Sequence, residues 1–135
     1  MNRTFKAAVA ALIFAVGFAG PVAAGPVEDA VAVRGDYDAM AAAEAAFLKH
    51  DYATAQRLMR PLAEQGDALA QFALGAMYDN GLGVPQDYVI AHMWFNLAAA
   101  SGFNEAARNR DMVARHMTPA QLADAQQLAR EWKPK

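Results

Sequence analysis

One sequence pattern occurs twice in this chain at a fixed interval, and it constrains the fold more than any other feature. Asp51-Tyr52-x-x-Ala55 is followed 36 residues later by Asp87-Tyr88-x-x-Ala91. The same interval relates further small residues, namely Ala63 and Ala99, Gly66 and Gly102, and Ala70 and Ala106. Repeats of roughly this length are typical of stacked helical hairpins, which bury a continuous core only when several of them pack together. The pattern therefore predicts an all-α fold, a short α-solenoid of about three hairpins.

The first 24 residues have the layout of a cleavable secretory signal peptide rather than of a folded element. Arg3 and Lys6 precede the apolar run Ala7–Phe18, and small residues follow at Val22-Ala23-Ala24. We predict cleavage after Ala24 and export of the mature chain. An uncleaved membrane anchor is the alternative, because no charge occurs between Lys6 and residue 28 and the uncharged stretch approaches spanning length.

Charge and cysteine content exclude several classes of function for the exported chain. Without Arg3 and Lys6, 10 of the 12 basic residues remain against 14 acidic residues. This negative balance disfavours nucleic-acid binding, which depends on contacts between cations and phosphates. The chain has no cysteine, so it has no disulfide framework, thiol nucleophile or cysteine-ligated zinc site.

Local signals divide the remaining chain into a flexible segment, 25–35, and a repeat domain, 36–135, with units 36–66, 68–102 and 104–132. Asp51 and Asp87 are suitable N-caps for the helices that follow them. Thr118, Pro119 and Gln121 form the pattern of a capping box at the start of a last, capping helix, whose inward stripe is Leu122, Ala125, Leu128/Ala129 and Trp132. The predicted helices are Asp36–Lys49, Tyr52–Gln65, Ala68–Asp79, Tyr88–Ser101, one from Asn104 to about His116, and this last one.

The segment Ala68–Gly102 resembles a Sel1-like repeat, a relative of the tetratricopeptide repeat with a longer loop between its helices. The resemblance implies a helical hairpin whose glycines allow tight loops and close helix approach, in particular of Gly75 to Ala55 and Ala91. The positions that carry the pattern are Leu74, Gly75, Tyr78, Gly81, Gly83, Asp87, Tyr88, Ala91, Trp94 and Gly102.

The two flanking units match that pattern less well. The first has the shorter turn of a tetratricopeptide hairpin at His50-Asp51. The third has Arg110 and Asp111 where the second has Leu74 and Gly75. We interpret the third unit as a degenerate cap, because the terminal unit of a stack must face water.

No group of residues in the sequence predicts catalysis, a metal site or a cofactor. The three histidines do not pair at ligand spacing, and we expect His50 and His92 to be solvated. Ser101 lacks the setting of a nucleophile. Gly81-x-Gly83 lacks the strand and lysine of a phosphate loop. The basic run on the fifth helix, Arg108, Arg110 and Arg115, is interpreted as a solvated face.

The expected function is therefore that of a non-enzymatic protein-binding adaptor in the cell envelope. The signal layout and the resemblance together imply a periplasmic or secreted protein of a Gram-negative bacterium. By the resemblance, the first helix of each hairpin lines a concave face, which would bind a protein or peptide of some basic character. Burial of this face, by residues Val27–Arg34 or by the stack itself, is an open alternative. So are an enzyme or accessory subunit acting on cell-wall-type ligands, and a module that works as a homo-oligomer. The predicted partner-binding residues are Tyr37, Met40, Glu44, Phe47, Leu69, Phe72, Ala76 and Asp79.

Overall fold

The computed structural model of this chain describes residues 27–135, and side chains from residue 35 onward. The predicted signal peptide, 1–24, lies outside the described residues. Within residues 27–135 the chain is entirely helical, with connecting turns and no strand. The helices are α1 (Val27–Leu48), α2 (Tyr52–Gln65), α3 (Ala68–Asn80), α4 (Tyr88–Ala100), α5 (Asn104–Ala114) and α6 (Pro119–Glu131).

The helices form a solenoid in which neighbours along the chain pack side by side. The helix α1 packs on α2, α2 on α3, and α3 on α4, so the first two units are helical hairpins stacked on each other. The third unit is looser. Both α5 and α6 pack chiefly on α4 rather than on each other, so the last unit closes around the second one instead of forming a tight hairpin.

Most helix starts lie where the local sequence signals place them. The side chains of Asp51 and Asp87 accept hydrogen bonds from the amides of residues 54 and 90, at 3.2 and 3.1 Å. Asp67 caps α3 in the same way, with a 2.7 Å bond to the amide of residue 70. The capping box of α6 is complete, because Thr118 and Gln121 each accept from the backbone N–H of the other. Such caps satisfy amides that have no partner within the helix.

The first helix differs from its predicted bounds. It begins at Val27, so the start predicted at Asp36 is nine residues too late, and most of segment 25–35 is helical rather than irregular. The reason is visible in the sequence. Pro26 is followed by Glu28 and Asp29, and proline and acidic residues both favour the first turn of a helix. At the other end of the stack, α5 stops at Ala114, two residues before the expected end.

Aromatic side chains fill the interface of the second hairpin. The Phe72 ring of α3 lies 5.6 Å from the ring of Phe95 on α4 and 5.0 Å from that of Phe103, measured between centroids. Pairs of this kind contribute about 0.5–1.5 kcal/mol each beyond their buried area. Gly75 faces the Phe95 ring directly, and a Cβ there would lie 2.6 Å from it. The close approach predicted for Gly75 exists, but its nearest neighbour is this ring rather than the expected alanines.

The long loop of the second unit packs against the first unit. Gly81 and Gly83 have φ angles of 63° and 71°, a left-handed conformation that favours glycine. A Cβ on Gly83 would also lie 2.5 Å from the carbonyl oxygen of Tyr52. The loop is therefore held against the beginning of α2, which explains why the repeat needs glycine at this position.

The end of the chain returns to the first unit. Trp132, after α6, packs against the core and lies next to Gly66. The backbone N–H of Lys135 donates to the carbonyl oxygen of Glu64 at 2.8 Å. Of the predicted inward stripe of α6, Ala125 is buried, whereas Leu128 is exposed. Leu122, Ala129 and Trp132 are half-buried, and the last two pack against the core, so the stripe runs through Ala129 rather than Leu128.

Candidate partner-binding surface and polar cleft

The predicted binding residues on α1 change from exposed to buried along the helix. Tyr37 is 62% exposed, Met40 and Glu44 are half-buried, and Phe47 is buried. The Phe47 ring packs edge-on against Tyr52 at 5.1 Å between centroids. Phe47 is therefore part of the contact between α1 and α2 and not of an open surface. The other three residues remain accessible to a partner.

On α3 the predicted binding residues lie mostly inside the stack. Phe72 and Ala76 are each 1% exposed, whereas Leu69 and Asp79 are half-buried. The helix α3 lies between α2 and α4, so its apolar stripe is covered by the stack itself. The prediction that Phe72 and Ala76 face a partner is therefore wrong in this structure. Asp79, at the end of the stripe, keeps access to solvent.

Asp79 is a half-buried carboxylate without a partner of its own. Within residues 35–135 its carboxylate makes no hydrogen bond or ion pair, although its backbone carbonyl accepts from Gln86 Nε2 at 2.7 Å. Burial raises the pKa of Asp79, and the nearby His116 partly offsets this rise. The ionised carboxylate is thus destabilised as it stands, and a cation from a partner would stabilise it.

The repeated tyrosines have structural roles at the edge where the hairpins turn. His50 Nδ1 lies 2.7 Å from the hydroxyl of Tyr52, and Gln86 Nε2 lies 3.2 Å from the hydroxyl of Tyr88. In each repeat, therefore, the residue two positions before the tyrosine binds its hydroxyl. His116 stacks on the Tyr88 ring at 5.5 Å. These contacts fix the loops, so His50 is at the surface as expected but is not simply solvated.

His92 is buried, although the sequence predicts a solvated side chain. It is only 4% exposed, and its Nδ1 is buried without a hydrogen-bond partner among the described residues. Burial lowers the pKa of His92, and the neighbouring Arg110 lowers it further. The sequence does contain an indication of this burial, because α4 is apolar around most of its circumference and such helices are buried on all sides.

Arg110 also departs from the predicted solvated face. Its Nη1 donates to Asn96 Oδ1 on α4 at 3.1 Å, while Nε and Nη2 donate to Asp111 Oδ1 at 3.0 and 2.9 Å. The side chain is 30% exposed. Arg108, on the same helix, fits the prediction, because it is 77% exposed and pairs with Glu105 at 3.4 Å.

These side chains border a cleft of about 260 Å³ where α4, α5 and α6 meet. Its lining is mostly polar and comes from all three helices. The lining residues are His92, Asn96, Arg110, Asp111, Ala114, Leu122 and Gln126. Sequence reasoning did not identify this cleft.

Neither a metal-binding cluster nor a membrane-spanning helix is present in the part of the chain that the structure describes. No group of three or more histidine, aspartate or glutamate residues there is arranged to hold a metal ion. In the same range, no helix has both the length and the hydropathy needed to cross a membrane.

Comparison with known families connects this architecture to a repeat. Residues 42–67 and 68–103 each match the family model of the Sel1 repeat. Residues 42–103 of this chain are two Sel1 repeats. The first Sel1 repeat is matched despite its short turn, so the family tolerates the tetratricopeptide-like spacing seen there. No curated protein sequence matches the chain.

A solved structure shows the same Sel1 architecture in a larger protein. It is a protective antigen present in uropathogenic Escherichia coli strains and displays an SLR fold. It is 28% identical to this chain, with a TM-score of 0.60. The match covers 97% of this chain but 30% of that protein, so the present chain spans under a third of its length. Sel1 repeats are typically protein–protein interaction modules and generally a non-catalytic fold.

Proposed function

We propose that this Sel1-repeat protein is a non-enzymatic adaptor of the bacterial cell envelope, which holds a protein partner through accessible residues of α1 and α3. The observation that carries the proposal is the accessible face of α1, hereafter the acidic face: Asp36, Tyr37, Met40 and Glu44. Its aromatic ring is exposed among carboxylates, and residues 35–48 contain no basic residue. Exposed tyrosines are enriched as anchors in protein interfaces.

The chemistry of the acidic face indicates a partner segment with basic and apolar side chains. Asp36 and Glu44 would attract lysine or arginine, which raises the association rate and sets orientation. Tyr37 and Met40 would supply apolar area for burial. Asp79 is a further acceptor for a cation, because its carboxylate has no partner within the described residues. Binding should therefore weaken as salt concentration rises.

The proposal is tested by capturing partners with the full chain from the envelope fraction of its own cells. A specific partner should bind the wild-type chain and be lost from the double variant Tyr37→Ala/Glu44→Lys. Leu128→Ala is the matched control, because Leu128 is exposed but lies on α6. The control should retain the partner. Equal capture by the double variant, or equal loss in the control, would refute binding at the acidic face.

Export to the periplasm is part of the same proposal and has its own test. The basic start, the apolar run and the small residues before position 25 support it. The protein isolated from cells should begin at Gly25 and appear in the periplasmic fraction. A chain that still begins at Met1 and remains in the cytoplasm would contradict export without bearing on the repeat fold.

A further inference from the structure

The third unit differs from the second at three corresponding helix positions. In the second unit, Leu74 and Gly75 are the seventh and eighth residues of α3, and Phe95 is the eighth of α4. These residues form a closed apolar contact. In the third unit the same helix positions hold Arg110 and Asp111 on α5, and Gln126 on α6.

This replacement puts polar groups where the repeat otherwise builds its core. All three of the substituted positions border the cleft between α4, α5 and α6. Removing polar groups from water without full pairing is unfavourable. Asp111 and Gln126 are exposed, as a capping unit requires, but that need does not explain Arg110, whose side chain is only 30% exposed. Departures of this kind from a repeat's own pattern are expected at functional sites.

Several hydrogen-bond donors that border the cleft have no acceptor within the described residues. Arg110 has five N–H bonds, and three of them are used on Asn96 and Asp111. One N–H therefore remains on each terminal nitrogen. The amide groups of Asn96 and Gln126 donate no hydrogen bond within the described residues. The Nδ1 atom of His92 also has no partner there, but it is buried from solvent.

Arg110 is also held in a defined position. Asn96 on α4 fixes one terminal nitrogen, and Asp111 fixes the opposite side of the guanidinium. An arginine that is immobilised before binding loses less conformational entropy when a ligand arrives. Asp111 itself is mostly exposed, so water screens its charge more than that of Arg110.

We propose that this cleft binds the carboxylate of a peptide, with Arg110 as the principal contact. Two parallel N–H bonds of an arginine match the two oxygens of a carboxylate. A volume of about 260 Å³ suits one terminal residue or one side chain rather than a cofactor, since drug-sized ligands occupy larger pockets. The carboxylate is supplied by a chain terminus or by an acidic side chain. The site is separate from the acidic face, which lies at the other end of the stack and would bind cations.

The test uses the full chain and three acetylated tripeptides in a nuclear magnetic resonance titration. One is trialanine with a free C-terminal carboxylate, one is the same peptide with an amidated end, and one is amidated but has a central aspartate. At least one carboxylate peptide should shift the Arg110 and His92 resonances saturably, with a Kd roughly tenfold or more below that of the neutral peptide. Whichever of the two binds identifies the source of the carboxylate. Equal shifts with all three peptides, or no saturable shift with any, would overturn the proposal.

Two variants and a matched control separate binding from folding. Arg110→Met should abolish the preference for carboxylate, and Arg110→Lys should weaken it while keeping the charge, because lysine lacks the planar fork. Arg108→Met is the control, since it removes the same charge from an exposed position of the same helix. Unchanged preference in the folded Arg110→Lys protein, or an equal loss in Arg108→Met, would count against the site.

Discussion

The contact between Gly75 and Phe95 gives the sharpest prediction about stability. In Gly75→Ala the new Cβ would lie 2.6 and 2.7 Å from two atoms of the Phe95 ring. Ordinary carbon contacts are about 3.5–4.0 Å, so the ring must withdraw by roughly 1 Å. Phe95 is fully buried and packed against Phe72, which leaves it little room to move. Overpacking of this kind costs about 1–3 kcal/mol.

The same substitution at Gly35 is the matched control. Gly35 is also helical, and a Cβ there meets nothing within 4 Å. Replacing glycine by alanine in an open helix position stabilises by about 0.5–1 kcal/mol. This gain also applies to Gly75→Ala, so its net effect is a loss of up to about 2.5 kcal/mol. Since the gain is common to both variants, they should differ by the cost of overpacking, about 1–3 kcal/mol.

Urea denaturation followed by circular dichroism measures both free energies of unfolding. A double-mutant cycle with Phe95→Leu tests the mechanism, because the smaller side chain makes room for the Cβ. The double variant should lose less stability than the sum of the single losses. A Gly75→Ala protein as stable as Gly35→Ala, or strictly additive losses, would refute the close contact between α3 and α4.

Three further predictions concern groups whose environment the structure defines. Burial holds the pKa of His92 below its usual 6.5, so the unfolded chain takes up the proton first as pH falls. The free energy of unfolding should therefore decrease as the pH falls below about 6.5, by at most about 1.4 kcal/mol per pH unit. In denaturation series at several pH values, His92→Gln should lose this pH dependence. An unchanged dependence would contradict burial of the imidazole. Burial raises the pKa of Asp79 above its usual 3.8, so the unfolded chain releases this proton first as pH rises. Asp79→Asn should therefore raise Tm at pH 7 but not below about pH 4. The control, Asp38→Asn at an exposed position, should change Tm little at either pH. Trp132→Ala should lower the free energy of unfolding by about 2 kcal/mol, less than the loss of a fully buried tryptophan, because Trp132 packs only partly against the core. A Tm equal to that of wild type would show that the contact of Trp132 with the first unit does not stabilise the stack.

Local signals in the sequence were sufficient to predict the bounds of most helices. The caps at Asp51 and Asp87, the glycines after α2 and within the long loop, and the capping box at Thr118 each act within one turn of the chain. Their positions could therefore be predicted without knowledge of the packing. The 36-residue interval supplied the remaining information, since it indicated that the hairpins stack.

Burial of particular side chains could not be predicted in the same way. Whether Phe72 faces a groove or the core depends on how closely α2 and α4 flank α3, which no local pattern specifies. The burial of His92 and Arg110 could not be predicted for a related reason. The third unit keeps the repeat interval only in part, and its two helices pack on α4 rather than on each other. The polar cleft results from this tertiary arrangement.

The central claim is that the acidic face of α1 holds a protein partner, and crosslinking in living cells tests it most directly. A photoreactive phenylalanine analogue at position 37 replaces an exposed aromatic residue with one of similar size. The same analogue at position 120, exposed on α6, is the control. The account predicts one discrete adduct from position 37 that disappears when Glu44→Lys is added, and no such adduct from position 120. Absence of an adduct at position 37, or the same adduct from both positions, would contradict it.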